Sequence, residues 1–135
     1  MRGAAGLRVL RLANPLVRLV LASRAHRLLS ERLLVLSYRG RRSGREHRIP
    51  LRYAETSGGA LVAVAVRPER KQWWRTFLGG EDAVLLLRGA RLAARGVVTD
   101  GPVRDDALRA YLERYPRSRR LTEDAAVVVL EPGTG

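Results

Sequence analysis

The sequence contains no cysteine, which excludes disulfide bonds, thiolate metal sites and cysteine nucleophiles. It contains only two histidines, His26 and His47, and neither lies near a cluster of carboxylates. Because zinc and related ions need several such ligands together, the sequence disfavours a metal site. A chain without disulfide chemistry is typical of a reducing compartment, so we expect a cytoplasmic location.

Aromatic and acidic residues are also scarce. Only 5% of the 135 residues are aromatic, so we expect a core built mainly from Leu, Val and Ala in one domain. The 13 acidic residues are outnumbered by 26 basic ones, and a net charge of +13 attracts polyanions or anionic lipid. Lys71 is the only lysine, and such a preference for arginine is typical of a coding bias. Part of the basic character is therefore compositional.

Long apolar runs are absent from the basic N-terminal region, residues 1–32. Leucine and valine recur there at helical spacings and are interrupted by arginine, which predicts an N-terminal amphipathic helical arm. Its uninterrupted apolar run from Leu19 to Ala22 is too short to cross a bilayer. The region also lacks a convincing cleavage site for a signal peptide. The arm either packs its leucine face on the domain or lies on a membrane surface as a peripheral contact.

From residue 33 to residue 135 the pattern changes to short β-forming runs separated by glycine-bearing turns. These runs are LLVLSY, RIPLRYAE, ALVAVAVR, AVLLLRG, RLAARGVVTD and AAVVVLEP. The segment RPERKQWWRTFLGG predicts a helix from Pro68 that ends at Gly79 and Gly80. A second helix is predicted from Asp105 to about Tyr115. The fold class is therefore mainly β with helices (α+β), a small barrel or strongly curved sheet.

The first candidate site is the stretch LSYRGRRSGREHR at residues 36–48. Gly40 and Gly44 can adopt positive φ, which lets backbone N–H groups converge on an anion. Hydrogen-bond donors surround these glycines: Arg41, Arg42, Ser43, Arg45 and Arg48. The arrangement suits a phosphate or a carboxylate, and the alternative is an ordinary exposed hairpin. It is not the phosphate loop of nucleotide hydrolases, because the Lys-Ser/Thr ending and the following helix are absent.

The second candidate site is the tryptophan segment, residues 67–80. Arg67 and Lys71 are candidate cationic contacts for an anionic ligand, with an exposed helix charge as the alternative for Lys71. Adjacent helix positions point about 100° apart, so one of Trp73 and Trp74 is expected in the core and the other at a cleft or surface.

Tyr115, near the end of the late helix, is the candidate catalytic residue. A phenol at this place can donate a proton to a reacting oxygen. The alternative is a partly buried tyrosine that closes the helix.

The order of GRRSGREHRIPL, RPERKQWWRTFLGG, RYP and a final strand ending in EP resembles the deazaflavin (F420)-dependent nitroreductase and quinone reductase family of actinobacteria. The resemblance covers roughly residues 14–132. It implies a split β-barrel of the FMN-binding-like kind, with reduced coenzyme F420 as hydride donor. The implied reaction is hydride transfer to a small electrophilic acceptor such as a quinone, an enone or a nitro-aromatic. The same fold with FMN is the alternative.

The resemblance also implies cofactor contacts. The family's Gly-Arg-Lys-Ser-Gly turn contacts the coenzyme phosphate, and it matches Gly40, Arg41, Arg42, Ser43 and Gly44, with Arg in place of Lys. The family's next Arg and Pro fall at His47 and Pro50, and Arg48 can substitute for that Arg. Trp73 falls on the family's Trp, and Thr76 stands where Asn is often found. Of the family's substrate-pocket tyrosines near the late helix, only Tyr115 matches, so coenzyme binding is the safer implication.

The basic composition also suits a nucleic-acid partner. A non-enzymatic alternative is a basic barrel that binds single-stranded nucleic acid through its backbone and by stacking of bases. That alternative requires several aromatics on one strand face, a pattern the sequence does not show. A homodimer is a further expectation.

Overall fold

The computed structural model describes residues 32–40 and 42–133. The expectations for the N-terminal arm and for Arg41 lie outside these residues. Within the described part of the chain, no helix has the length and apolar character needed to cross a membrane.

Six antiparallel strands close into a barrel in the order β1-β2-β3-β6-β5-β4. The strands are β1 (Leu33–Arg39), β2 (Glu46–Glu55), β3 (Leu61–Ala65), β4 (Glu81–Leu87), β5 (Ala90–Val98) and β6 (Ala126–Pro132). Each of the six β-forming runs in the sequence contributes one strand. The barrel closes because β4 pairs with β1, for example Leu36 with Leu85. The predicted fold class, mainly β with helices in a small split barrel, is confirmed.

The two-residue period of the strands separates an interior face from an outer face. On β1, Leu34, Leu36 and Tyr38 belong to the interior core, whereas Ser37 alternates with them on the outer face. The interior is otherwise mostly aliphatic, as expected, but it also holds four aromatic side chains: Tyr38, Tyr53, Trp73 and Phe77.

Helix α1 (Gly101–Arg114) covers the outer face of β2, β3 and β6. Its buried Ala107 and Tyr111 join Ala54, Val62 and Val127 in a second hydrophobic cluster. The helix begins at Gly101, before the predicted start at Asp105. Pro102 lies in the first turn, where a backbone N–H has no partner within the helix and its absence is not destabilising. The TDGP stretch therefore starts the helix instead of preceding it.

The tryptophan segment does not form the single helix that the sequence predicts. It forms two short 3₁₀ helices, Pro68–Arg70 and Trp73–Phe77, separated by Lys71 in an extended conformation. Trp73 and Phe77, both in the second of these helices, reach the barrel interior. The indole N–H of Trp74 donates to the Pro68 carbonyl at 2.8 Å and joins the two helices.

Phe77 is fully buried, and its ring lies against Gly96 of β5. A Cβ added at Gly96 would lie 2.6 Å from Phe77 Cδ1 and 2.8 Å from a Leu130 methyl carbon. The missing side chain at Gly96 therefore makes room for the ring that holds the tryptophan segment on the barrel.

We expect Gly96→Ala to lower the free energy of unfolding by about 1–3 kcal/mol, because the new methyl group overpacks the core. The matched control is Gly58→Ala, where an added Cβ has only Thr56 Oγ1 nearby, at 3.9 Å. The control should change stability by less than about 0.5 kcal/mol. Urea denaturation measures both, and equal stability of the two variants would contradict the packing described for Phe77.

Candidate functional site

The turn at residues 40–44 joins β1 to β2 just beyond the last strand pair, Arg39 and Glu46. Its backbone is closed by two hydrogen bonds of 2.9 Å, from Gly44 N–H to the Gly40 carbonyl and from Gly40 N–H to the Arg45 carbonyl. The Arg45 N–H donates to Ser43 Oγ at 3.1 Å. Gly44 adopts the left-handed conformation, with φ of 68°, which favours glycine. The turn is thus tight and internally bonded.

The prediction that backbone N–H groups converge on an anion is wrong for Gly40, Gly44 and Arg45, because these amides donate hydrogen bonds within the turn. Gly40 also lacks the positive φ that such convergence requires. Glycine is needed at this position for another reason, since an added Cβ would lie 3.0 Å from Ser43 Oγ and 3.1 Å from His47 Nε2. These three amides are therefore not free to bind an anion, and the side chains of the turn remain as donors.

The side chains of the turn can supply such donors. Arg42, Ser43 and Arg45 are all exposed. The Ser43 hydroxyl accepts one hydrogen bond and keeps its own proton to donate. Guanidinium groups bind phosphate and carboxylate oxygens through charge-assisted hydrogen bonds, which are stronger than neutral ones.

Sequence reasoning missed the role of Arg39. Its Nη1 donates to the Gly44 carbonyl at 2.8 Å and so fastens the turn to the end of β1. Nothing in the sequence distinguishes this arginine from its neighbours, because the bond depends on the conformation of Gly44.

Arg48 and Pro50 lie on the outer face of β2 and not among the exposed cations of the turn. The Arg48 side chain is 4% exposed and pairs with Glu46 at 3.0 Å. Ser37 Oγ donates to the other Glu46 oxygen, also at 3.0 Å. Pro50 is half-buried and is paired with Val35 of β1. Cofactor contacts by Arg48 and Pro50 stay predictions.

The Glu46 carboxylate carries the charge of this outer-face network. Burial acts to raise the pKa of Glu46, but hydrogen bonds from Arg48 and Ser37 and the charges of Arg48 and Arg39 lower it below its ordinary value. Glu46 is therefore ionised at neutral pH and holds Arg48 on the strand.

A chain of aromatic rings connects the turn with the tryptophan segment. The Tyr38 ring stacks on His47, with centroids 5.2 Å apart and planes at 24°. Tyr38 also contacts Phe77 edge-on at 5.8 Å, and Phe77 contacts Trp73 at 6.4 Å. Because His47 lies against Gly40, the two candidate sites meet at the same end of the barrel.

The tryptophan segment divides its side chains between core and surface. Trp73 and Thr76 are buried, whereas Trp74 is half-buried beneath the Arg75 guanidinium, 5.4 Å from its ring centre. The expectation that one tryptophan enters the core and the other does not is confirmed.

Arg67 and Lys71 are both exposed at the start of this segment. Lys71 Nζ donates to the Val66 carbonyl. Arg67 has the left-handed conformation, with φ of 54°, and lines a cavity of about 240 Å³ that includes no residue of the turn. Their contacts with a cofactor stay predictions.

Tyr115 belongs to the cluster beneath α1 and not to the interior core with Tyr38 and Trp73. Its hydroxyl donates to the Tyr53 carbonyl at 2.5 Å. The Arg52 guanidinium lies 4.4 Å from the Tyr115 ring centre and donates to Tyr111 and Ser118. Burial raises the pKa of Tyr115, although the nearby Arg114 acts to lower it. These contacts correspond to the packing alternative, and the proton-donor role stays a prediction.

A cavity of about 540 Å³ lies beside the turn, against β1, β4 and β5. Tyr38 lines the cavity together with residues that have small or medium side chains, such as Ser37, Val84 and Ala93. Charged residues complete the lining: Arg39, Glu46, Asp82, Arg95 and Glu131. Sequence reasoning missed this group because its members come from five strands and meet only when the barrel closes.

No family model matches this sequence, and no curated protein matches it either. Solved structures do resemble the chain. An F420-H2 dependent reductase (FDR-A) has a TM-score of 0.63 at 18% identity, over 73% of this chain and 93% of that one. A domain-swapped dimer has a TM-score of 0.61 at 17% identity, over 73% and 79% of the two chains. A protein of unknown function from Agrobacterium tumefaciens has a TM-score of 0.56 at 17% identity, over 83% and 56%.

At such identities the comparisons establish a shared fold. The chain therefore has the barrel fold of an F420-H2 dependent reductase. The fold that the sequence resemblance implied is confirmed.

Proposed function

We propose that this protein is an F420H2-dependent oxidoreductase that transfers a hydride to a small electrophilic acceptor, of the quinone reductase or nitroreductase type. One observation carries the proposal: the arginine-bearing turn and the tryptophan segment meet at one end of the barrel, joined through His47, Tyr38 and Phe77. The resemblance in fold to an F420-H2 dependent reductase supports it.

The residues of the turn suit the anionic part of such a coenzyme. Arg42 and Arg45 offer two exposed guanidinium groups, and Ser43 offers a hydroxyl proton. We assign the coenzyme phosphate to these groups and to Arg41. Gly40 and Gly44 keep the turn compact, and Arg42, Ser43 and Arg45 follow one another closely along it.

The aromatic end of the barrel suits the flat ring system. When bound, the reduced deazaflavin supplies the hydride, and the protein supplies orientation and a dry surface. Trp73, Phe77 and Tyr38 are buried in the interior core at this end of the barrel, and Tyr38 also lines the cavity of about 540 Å³ beside the turn.

FMN is the alternative cofactor, because it also joins a flat ring to a phosphate. The cations of the turn do not distinguish the two molecules. Direct titration with each cofactor distinguishes them.

Binding of single-stranded nucleic acid is less well supported. All seven aromatic residues lie in the described part of the chain, and six of them are buried: Tyr38, Tyr53, Trp73, Phe77, Tyr111 and Tyr115. The seventh, Trp74, is half-buried and covered by Arg75. These residues provide no exposed row of rings on which bases could stack.

A homodimer remains a proposal, motivated by the resemblance to a domain-swapped dimer. Peripheral membrane contact through the N-terminal arm and a cytoplasmic location are also proposals. Light scattering of the purified chain tests the homodimer. A vesicle pelleting assay of full-length and arm-deleted protein tests the membrane contact.

We expect Arg42→Ala to weaken binding of coenzyme F420 by about 10- to 150-fold, which corresponds to one charge-assisted hydrogen bond. The loss should be smaller in high salt. Absorbance titrations with F420 and with FMN measure the affinity.

The matched control is Arg91→Ala, which removes the same charge from an exposed position near the β4–β5 hairpin. It should leave the affinity nearly unchanged. Equal losses in the two variants would indicate attraction by net charge alone, and no loss in Arg42→Ala would make the turn an ordinary hairpin.

Tyr115→Phe separates the two roles considered for this residue. The hydrogen bond to the Tyr53 carbonyl favours packing, so we expect the free energy of unfolding to fall by about 1 kcal/mol with turnover unchanged. If Tyr115 is instead the general acid, turnover should fall by about 10²-fold or more with little change in coenzyme affinity. Urea denaturation and steady-state rates with a quinone acceptor measure the two quantities.

A further inference from the structure

The outer face of β1 and β4 is buried, although the described elements that contact these strands extensively are only their neighbouring strands. Val35 of β1 pairs with Leu86 of β4 on this face, because Leu34, Leu36 and Leu85 occupy the interior positions. Val35 is 4% exposed and Leu86 is 8% exposed. Neither residue belongs to the interior core or to the cluster beneath α1.

Other outer-face positions show what such burial requires. Val62 and Val127 lie beneath α1 and are fully buried. Val97, on the outer face of β5 and outside that cluster, is 37% exposed. Contacts with neighbouring strands therefore leave an outer-face valine partly open to water. Val35 and Leu86 resemble the covered valines, which indicates a further layer over them.

Two polar side chains on the same face are buried as well. Ser37 and Arg48 are paired across β1 and β2 and both occupy outer-face positions. Ser37 is 5% exposed, and the Arg48 side chain is 4% exposed. Long charged side chains on an open surface normally extend into water, even when they form an ion pair. The cover therefore reaches from the Val35–Leu86 pair to β2.

The N-terminal arm is the part of the chain that can supply this cover. The exposures are those of a single chain, so neither a second copy nor another partner accounts for them. Outside the described residues lie 1–31, residue 41 and residues 134–135. The last three residues are too few to cover two strands, whereas residues 1–31 lead directly into β1. As the predicted helix they would extend about 46 Å, and the seven residues of β1 extend only about 24 Å.

We propose that the N-terminal arm docks its apolar face on the outer face of β1 and β4, over Val35 and Leu86. The arm's leucines and valines at helical spacings supply that face: Leu7, Leu10, Val17, Val20, Leu21, Leu28 and Leu29. Docked leucines are not available to a bilayer, so this docking and the peripheral membrane contact are alternatives for the same residues. Because β1 and β2 also carry the arginine-bearing turn, the docked arm supports the strands from which the candidate site projects.

The absence of cysteine allows a direct test by thiol reactivity in the full-length chain. Single-cysteine variants are made at the proposed docking face (Leu86→Cys), beneath α1 (Val62→Cys) and at the exposed outer-face position (Val97→Cys). Leu86→Cys should react with a maleimide at least about tenfold more slowly than Val97→Cys, because a buried thiol reacts only after local opening. Val62→Cys should be protected as well.

A change in the arm then assigns the protection. Leu28→Asp with Leu29→Asp places two charges on the leucines nearest to β1 and should release the arm. The cysteine at position 86 should then react nearly as fast as the one at position 97, while the cysteine at position 62 stays protected.

The matched control is Ala4→Asp with Ala5→Asp, which adds the same two charges to the arm without altering a leucine. It should leave the cysteine at position 86 protected.

Methyl NMR of the wild-type protein gives a second measurement that does not depend on how the arm variant folds. We expect nuclear Overhauser effects between the methyl groups of Val35 and Leu86 and leucine or valine methyl groups of residues 1–31.

Three outcomes would overturn the proposal. Leu86→Cys reacting as fast as Val97→Cys in the otherwise wild-type chain would show that the face is open. Protection that is lost when the protein is diluted would assign the cover to a second copy of the chain. Absence of the methyl contacts to residues 1–31 would assign it to another part of the same chain, whether or not the arm variant folds.

Discussion

The burial of Phe77 at one end of the barrel is the contact on which the candidate site depends. Its ring fits against Gly96 and contacts both Tyr38 and Trp73. Without this contact, the segment between β3 and β4 would have no fixed position relative to the β1–β2 turn. The same packing therefore stabilises the fold and brings together two stretches separated by about thirty residues in the sequence.

The large positive charge of the chain serves structure as well as any ligand. Arg104 donates to three carbonyls, those of Thr122, Glu123 and Ala125, and so holds the loop before β6. Arg52 ties β2 to the helix region, and Arg39 fastens the turn. The net charge of +13 therefore overstates the cationic surface available to an anion. At the turn, the exposed Arg42 and Arg45 are the described cations best placed for that role.

The strands could be predicted from the sequence because the two-residue period and the glycine-bearing turns are local signals. The candidate turn could be located for the same reason. The hydrogen bonds of the turn could not be predicted, since they depend on Gly44, and not Gly40, adopting positive φ. Tertiary packing decided the remaining features. The environments of Tyr38 and Tyr115 follow from barrel closure and helix docking. The local sequence, which predicts one helix, carries no signal for the break at Lys71.

The central claim is that the turn and the tryptophan segment form one ligand site. Backbone amide NMR of the isotope-labelled full-length protein, titrated with coenzyme F420, tests it most directly. We predict that resonances of residues 38–48 and of residues 72–78 shift together, with one common binding constant, while those of α1 stay in place. Shifts confined to the turn, or strongest along α1, would contradict a shared site at this end of the barrel.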